Sequence, residues 1–214
     1  MKMSPMKFPS VPFALLLFLC VGLTFSARAT ITGQWDFKTG YNATIGTAIF
    51  AQDPATAALT QFESTASFGI SPIAGQTTNV MFFPQDTDGN YNGVDYQVTV
   101  GAAPNDTNAG GYTVNQYTVI MDVLFTNLPP AGKTFTLFGT DYDYFGGEFS
   151  VNSAGNVVCS AGGGGGFLTT NAWHRIAIAV DAADAVSGLE VFIDGTNVAT
   201  QGSPSAVNGP LSIE

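Results

Sequence analysis

Basic side chains are scarce in this sequence, since six of its 214 residues are Lys or Arg, against sixteen Asp or Glu. Nucleic acids and anionic membranes attract proteins through clustered basic side chains that displace counterions. So few cations cannot form such a cluster. The composition therefore argues against nucleic acid and the membrane surface as partners.

The long apolar run of the chain lies near its N-terminus, at residues 11–24, between Lys2 and Lys7 on one side and Ala27-Arg28-Ala29 on the other. A basic start, a short apolar run and small residues at the cleavage point are typical of a secretory signal peptide. The run is short for a bilayer span of roughly 20 residues. Residues 1–29 are therefore interpreted as a signal peptide, with an uncleaved anchor as the alternative, and residues 30–214 as a secreted domain, extracellular or periplasmic.

Cysteine and histidine are almost absent, which excludes several kinds of site. Without residues 1–29, Cys159 is the only thiol, so no disulfide can form within the chain. We expect Cys159 to be buried and inert, with a reactive thiol as the alternative. The single histidine, His174, cannot supply a zinc site. Three basic residues against sixteen carboxylates leave the mature domain with a net charge of −13, which suits a soluble extracellular protein or one that holds Ca²⁺.

Alternation of apolar and polar residues is the strongest pattern present, above all in residues 172–200. Ile176, Ile178 and Val180 alternate with residues of the opposite face, which predicts a strand with one apolar face. A second alternation covers residues 189–193, and Asp194-Gly195 supplies the left-handed φ angles of a type I′ turn. An isolated hairpin is marginal in water, so the pattern predicts a hairpin within a larger sheet.

Roughly ten to twelve short strands separated by turn signals, and no confident helix, are indicated along the chain. The longest, at residues 112–125, is apolar on both faces in its second half, which predicts a central position in a sheet. A first strand is expected at residues 30–37, and the glycine run 162–166 is interpreted as a flexible connection. The whole predicts an all-β fold, a two-sheet antiparallel sandwich of jelly-roll type.

Four segments together resemble the LamG-like, or concanavalin A-like lectin/glucanase, domain of secreted bacterial proteins. They are Gln34-Trp35-Asp36-Phe37, residues 117–123 (YTVIMDV), Trp173-His174-Arg175-Ile176-Ala177 with Asp181, and residues 189–195 (LEVFIDG). The resemblance implies two antiparallel sheets and the binding of glycans or proteins outside the cell. Members of the family commonly continue with one or two further strands, so we expect the sandwich to lack its C-terminal closing strands and to leave an edge exposed.

A loop rich in Asp and Asn matches the start of a calcium-binding pattern, because its spacing places several oxygen ligands on one tight turn. The candidate Ca²⁺ ligands are Asp86, Asp88, Asn90, Asn92 and Asp95. Thr99 stands where an EF-hand would have its bidentate Glu, which excludes an EF-hand. A Ca²⁺ loop of another kind and an Asx-rich turn between strands both stay open.

A second candidate site combines carboxylates with aromatic rings, in Asp141, Tyr142, Asp143, Tyr144 and Glu148. Carboxylates accept hydrogen bonds from sugar hydroxyls, and aromatic rings offer an apolar face on which a sugar can stack. The group is therefore predicted to bind ligand at the sandwich rim. The alternative is a solvated acidic hairpin whose rings pack inward.

Catalysis is not expected. Glycosidases need two carboxyl groups at a defined separation, and the four Glu residues here do not form the E-x-D-x-x-E pattern of the glucanase branch. The sequence also contains neither a G-x-S-x-G elbow nor a phosphate loop. We predict a secreted, non-catalytic module that recognises carbohydrate or an extracellular protein through rim loops. A structural or adhesion domain without a small-molecule site and a divergent glycoside hydrolase are the alternatives.

Overall fold

A computed structural model describes residues 30–51, 54–83, 96–102, 114–140, 149–159, 164–184, 186–201 and 213. The elements described all belong to the unit Thr32–Glu214. They are β1 (Phe50–Ala51), α1 (Pro54–Leu59), β2 (Gln61–Ser64), β3 (Asn79–Phe82), β4 (Tyr96–Gln97), β5 (Gln116–Leu124), β6 (Thr134–Phe138), β7 (Phe149–Asn152), β8 (Val157–Cys159), β9 (Gly164–Gly165), β10 (Trp173–Asp181), β11 (Leu189–Ile193) and β12 (Thr196–Gln201).

One four-stranded antiparallel sheet has the order β12-β11-β10-β5. In β10 the predicted alternation is confirmed, because Ile176, Ile178 and Val180 are buried while the residues between them are at least partly exposed. The type I′ turn after β11 is confirmed as well. Ile193 pairs with Thr196, and the two residues between them, Asp194 and Gly195, have φ angles of 51° and 79°, as this turn requires.

The second four-stranded antiparallel sheet has the order β6-β7-β8-β9. Its central residues Phe149, Val151 and Val157 have no solvent exposure. Asn152 closes the β7–β8 hairpin, since its Oδ1 accepts hydrogen bonds from the backbone N–H groups of Ala154 and Asn156, at 2.9 and 3.0 Å. An Asn side chain that bonds its own turn in this way explains why the chain reverses here.

The inner faces of the two four-stranded sheets share one hydrophobic core. It contains Phe149, Val151, Val157 and Cys159 from one sheet, Ile176, Ile178, Val180, Leu189, Val191 and Ile193 from the other, and Leu168. Burying one such aliphatic side chain stabilises a fold by about 1.5–3 kcal/mol. The architecture is therefore all-β and sandwich-like, as predicted, and Cys159 is buried as expected.

The N-terminal part of the chain forms smaller elements than the sequence predicts. The expected first strand at residues 30–37 is reduced to a single bridge between Gln34 and Ile45, and Phe37 ends the extended segment with a φ angle of 55°. Two-stranded sheets, β1-β4 and β2-β3, follow. The six-residue helix α1, which the sequence did not predict with confidence, begins at Pro54, where the missing N–H of proline costs a helix nothing.

The predicted central position of the longest strand is wrong within the described residues. β5 pairs with β10 alone among the strands, and Ile120 at its middle is 63% exposed. Ile120, on the second face of the strand, is therefore not covered by another layer of described residues. Just before β5, Val114 forms an isolated antiparallel bridge with Ile213.

The predicted flexible connection at the glycine run is also wrong where the structure describes it. Gly164 and Gly165 form β9, which pairs with β8. A Cβ atom on Gly165 would collide with the backbone oxygen of Val198 in β12. Glycine at this position therefore allows the edge of one sheet to approach the edge of the other.

We expect Gly165→Ala to lower the free energy of unfolding by about 1–3 kcal/mol, because the added methyl group forces the two sheet edges apart. Gly101→Ala is the matched control, since a Cβ there would lie at an ordinary contact distance of 3.7 Å from the Thr32 backbone oxygen. Urea denaturation of both variants measures the difference. Equal stabilities would show that β9 and β12 do not pack closely.

Candidate functional site

Both sites predicted from the sequence lie outside the described residues. This applies to the calcium candidates Asp86, Asp88, Asn90, Asn92 and Asp95 and to the ligand candidates Asp141, Tyr142, Asp143, Tyr144 and Glu148. They stay predictions. Within the described ranges, no group of three or more His, Cys, Asp or Glu side chains is arranged to hold a metal ion.

A shallow pocket of about 250 Å³ lies where β10 begins. β10 and its partner strand β5, the turn between β11 and β12, and the loop between β2 and β3 all contribute to it. Its lining residues are Ile73, Ala74, Asp122, Trp173, His174, Arg175 and Asp194. Sequence reasoning did not predict a site here, although several of these residues belong to the segments that carry the family resemblance.

Trp173 joins the strand to the loop that forms one side of the pocket. Its Nε1 donates a hydrogen bond of 2.6 Å to the backbone oxygen of Ser71. Two residues after Ser71 the chain makes a tight turn, which is closed by the bridge between Ile73 and Gln76. Ala74 in this turn is in the left-handed region, with a φ angle of 48°. The indole therefore has its polar edge satisfied, and its apolar ring contributes to the pocket lining.

Arg175 and Asp122 form a bidentate ion pair across two strands. The residues stand opposite each other in the antiparallel register of β10 and β5. Arg175 Nε lies 2.7 Å from Asp122 Oδ1, and Nη2 lies 2.6 Å from Oδ2. The hydrogen bond with this carboxylate raises the pKa of Arg175 further above its ordinary value. Because the Arg175 side chain is 62% exposed, the pair contributes little stability and mainly fixes the orientation of both groups.

Asp194 holds the β11–β12 turn against the start of β10. Its Oδ1 accepts the backbone N–H of Arg175 at 2.9 Å, and its Oδ2 lies 2.8 Å from His174 Nδ1. The Asp194 backbone N–H in turn donates to the Arg175 oxygen at 2.9 Å. These hydrogen bonds, that from the Arg175 N–H first and that from His174 second, lower the pKa of Asp194, so its carboxylate is ionised at neutral pH.

The hydrogen bonds of His174 assign the tautomer of its imidazole ring. Nε2 accepts the backbone N–H of Thr169 at 3.0 Å, and a nitrogen that accepts this bond carries no proton. The proton is therefore on Nδ1, and this N–H group donates a hydrogen bond to Asp194. The imidazole is neutral and only 11% exposed. It links the turn before β10 to the turn after β11.

The hydrogen-bonded order of hydroxyl, imidazole and carboxylate is that of a catalytic triad. Here it is formed by Thr169, His174 and Asp194. The Thr169 Oγ1 lies 3.0 Å from His174 Nε2. In a catalytic triad the imidazole acts as general base, so its Nε2 lone pair must be available to take the hydroxyl proton. Here that lone pair already accepts a hydrogen bond from the Thr169 backbone N–H. In this structure the three residues therefore connect the turn before β10 to the turn after β11.

The sequence indicated one of the two contacts of His174, the one with Asp194. Ile176 pairs with Ile193, so the predicted hairpin register already brings His174 close to the Asp194-Gly195 turn. His174 is a strand residue, as predicted. The contact with Thr169 depends on the path of the chain before β10, where Asn171 has a φ angle of 58°, and no residue pattern indicated that path.

No protein-family model, curated protein or solved structure matches this chain. In the part of the chain that the structure describes, none of the helices is long and apolar enough to cross a membrane.

Replacement of Asp194 is expected to destabilise the fold in a graded way. Asp194→Ala removes both accepted hydrogen bonds and leaves a left-handed backbone, at a cost of about 2 kcal/mol in the free energy of unfolding. Asp194→Asn tolerates the same φ and keeps an oxygen for the Arg175 N–H, so its cost is about half of that. Chemical denaturation measures both. An Asn variant no more stable than the Ala variant would contradict this assignment.

The stabilisation by Asp194 is also expected to depend on pH. Because the folded-state pKa lies below the ordinary value of 3.8, the charged carboxylate favours the folded state at pH values above 3.8, and this contribution is lost as the pH falls through the lower folded-state pKa. The stability difference between the wild-type chain and Asp194→Asn should therefore shrink in acid. Denaturation curves recorded from neutral pH downward test the direction, and a difference that grows in acid would contradict it.

Proposed function

We propose that this chain is a secreted, non-catalytic carbohydrate-binding module with a LamG-like jelly-roll fold, and that the pocket at the start of β10 is its sugar site. The observation that carries the proposal is the combination of an indole ring with fixed polar groups in one shallow pocket, lined by Trp173, Asp122, Arg175 and Asp194. Sugars present both an apolar ring face and hydroxyl groups, so they match both parts.

The polar groups of the pocket are already oriented before any ligand binds. The two Asp122 oxygens are held by Arg175, and the Asp194 oxygens by His174 and a backbone N–H. Each carboxylate oxygen has a further lone pair for a hydroxyl donor. Ligand binding therefore costs little side-chain conformational entropy, which favours affinity.

The size of the pocket suits a small part of a glycan. Its volume of about 250 Å³ is below the roughly 300–1,000 Å³ of sites that enclose drug-sized ligands. One sugar unit of a longer chain would occupy it while the neighbouring units extend into solvent. Such a shallow arrangement is compatible with recognition of exposed polysaccharide.

The family resemblance supports the same location. Three of its four segments supply pocket residues, namely Asp122 from residues 117–123, Trp173 from the start of β10, and Asp194 from residues 189–195. The sandwich-like core places these segments side by side in one sheet. The N-terminal signal-peptide pattern agrees with a function outside the cytoplasm.

The electrostatics of the pocket favour binding over glycoside hydrolysis. A glycosidase needs one carboxyl group whose raised pKa keeps it protonated as general acid. The hydrogen bonds to Asp194 lower its pKa instead, and Asp122 is engaged by a guanidinium. Asp194 is therefore not suited to donate a proton to a leaving group, and both oxygens of Asp122 already accept hydrogen bonds from Arg175.

An adhesion domain without a small-molecule site is the second candidate function. It is favoured by the open edge of β5, which pairs with β10 alone among the described strands and has Ile120 63% exposed at its middle, because an unpaired strand edge offers backbone hydrogen-bonding groups to another chain. In that case the pocket contacts serve only to fix the strands. Glycan binding that depends on the pocket distinguishes the two functions.

We expect Trp173→Ala to weaken glycan binding about tenfold, equivalent to roughly 1.4 kcal/mol, because the stacking face is lost. Phe167→Ala is the matched control, since Phe167 is an exposed aromatic residue outside the pocket. A glycan array followed by isothermal titration of the best ligand measures both. Equal weakening in the two variants would place the sugar elsewhere.

Two further arms separate the alternatives. Binding by the pocket side chains needs no cation, so it should persist in a chelator, whereas binding through the predicted calcium loop would be lost.

The divergent-hydrolase alternative is tested by incubation with β-glucans. We expect no release of reducing sugar, and release that Asp194→Asn abolishes would overturn the non-catalytic assignment.

A further inference from the structure

The charges that line the pocket differ in what they leave available to a ligand. The lining contains one guanidinium, two carboxylates and one imidazole, from Arg175, Asp122, Asp194 and His174. With the imidazole neutral, as its hydrogen bonds require, these groups carry a formal charge of −1. A ligand that enters the pocket therefore meets a slight excess of negative charge.

The cation of the pocket is committed to a carboxylate. Two nitrogens of Arg175 donate to the two oxygens of Asp122, at 2.7 and 2.6 Å. An anionic ligand group would have to share or replace Asp122 in this bidentate pair, which is the geometry that guanidinium and carboxylate favour most. Within the described structure the remaining Nη1 makes no hydrogen bond, so Arg175 can still donate to a neutral hydroxyl.

Neither Asp194 nor His174 can assist an anion. Asp194 is an ionised carboxylate whose hydrogen bonds lower its pKa, and it would repel a second carboxylate at close range. The Nδ1–H group of His174 donates a hydrogen bond to Asp194, and Nε2 accepts one from the Thr169 N–H group. The ring therefore offers no N–H group to a ligand.

We infer, on the basis of the proposed function, that this pocket selects uncharged sugars and rejects sugars that carry a carboxylate or a sulfate. Hydroxyl groups both donate to the carboxylate lone pairs and accept from Arg175 Nη1, so they satisfy every group that remains available. An anionic sugar finds one committed cation and two carboxylates. The net charge of −13 on residues 30–214 adds a long-range repulsion of the same sign.

The test compares neutral oligosaccharides with their uronate counterparts of equal length and linkage, namely the glucose, galactose and mannose series. The full chain is titrated at low salt, where electrostatic effects are largest. We expect the neutral member of any bound pair to bind at least tenfold more tightly. Equal or tighter binding of the uronate, still lost in Trp173→Ala, would overturn the charge inference and leave the proposed function standing.

A charge-neutralising variant tests the cause of the selectivity. Asp122→Asn releases Arg175 and removes one negative charge, so uronate affinity should rise at least tenfold and should fall again with added salt. Asp184→Asn is the matched control, because it removes the same charge at a residue outside the pocket that accepts hydrogen bonds from its own turn. An unchanged uronate affinity in folded Asp122→Asn would overturn the inference.

The outcomes remain separable if a variant does not fold. Thermal unfolding shows whether Asp122→Asn is folded, and the wild-type comparison of neutral and anionic sugars decides the inference without it. Absence of binding to every sugar, neutral or anionic, would overturn the proposed function and the charge inference with it.

Discussion

The buried contact between two sheets fixes the strand register, and the register determines where the pocket forms. Ile176 faces Ile193, and Ile178 faces Val191, in the ladder between β10 and β11, and all four side chains are buried. A slip by one residue would turn this whole face toward solvent. Burial of the inner face therefore selects one register in this ladder. It does the same in the ladder between β10 and β5, where Ile176 faces Met121, which packs against the core, and Arg175 consequently stands opposite Asp122.

Strand length explains why the pocket lies at this end of the sheet. β10 extends three residues beyond the position where β11 turns back, because Ile176 is the last residue that pairs with β11. The extra residues lack a ladder partner on that side. Asp194 supplies the missing partner from the turn, since its carboxylate accepts the Arg175 N–H. The polar chemistry of the pocket thus follows from completing the hydrogen bonds of an overhanging strand.

The sequence predicted those parts of the fold whose signal is local. The strands β10 and β11 and their Asp-Gly turn follow from alternation and from two residues that adopt left-handed angles. Near Gln34, a single bridge to Ile45 replaces the expected strand. The two-residue strand β9 has no local signal, because it pairs with β8 and also lies against Val198 of β12, which is distant in the sequence. The pocket was missed for the same reason, because Trp173 meets Ser71, 102 residues earlier in the chain.

If the pocket binds sugars as proposed, the hydrogen bonds that make it rigid also make it selective. Charges that are already paired keep their hydrogen bonds when a neutral ligand displaces water, so the cost of desolvating them is small. The same pairing already balances the charge of Arg175 with that of Asp122, so an incoming anion meets the remaining negative charge of Asp194. On the proposed function, the hydrogen bonds that Asp122 accepts from the Arg175 side chain and Asp194 from the Arg175 backbone therefore also determine which ligands the pocket accepts.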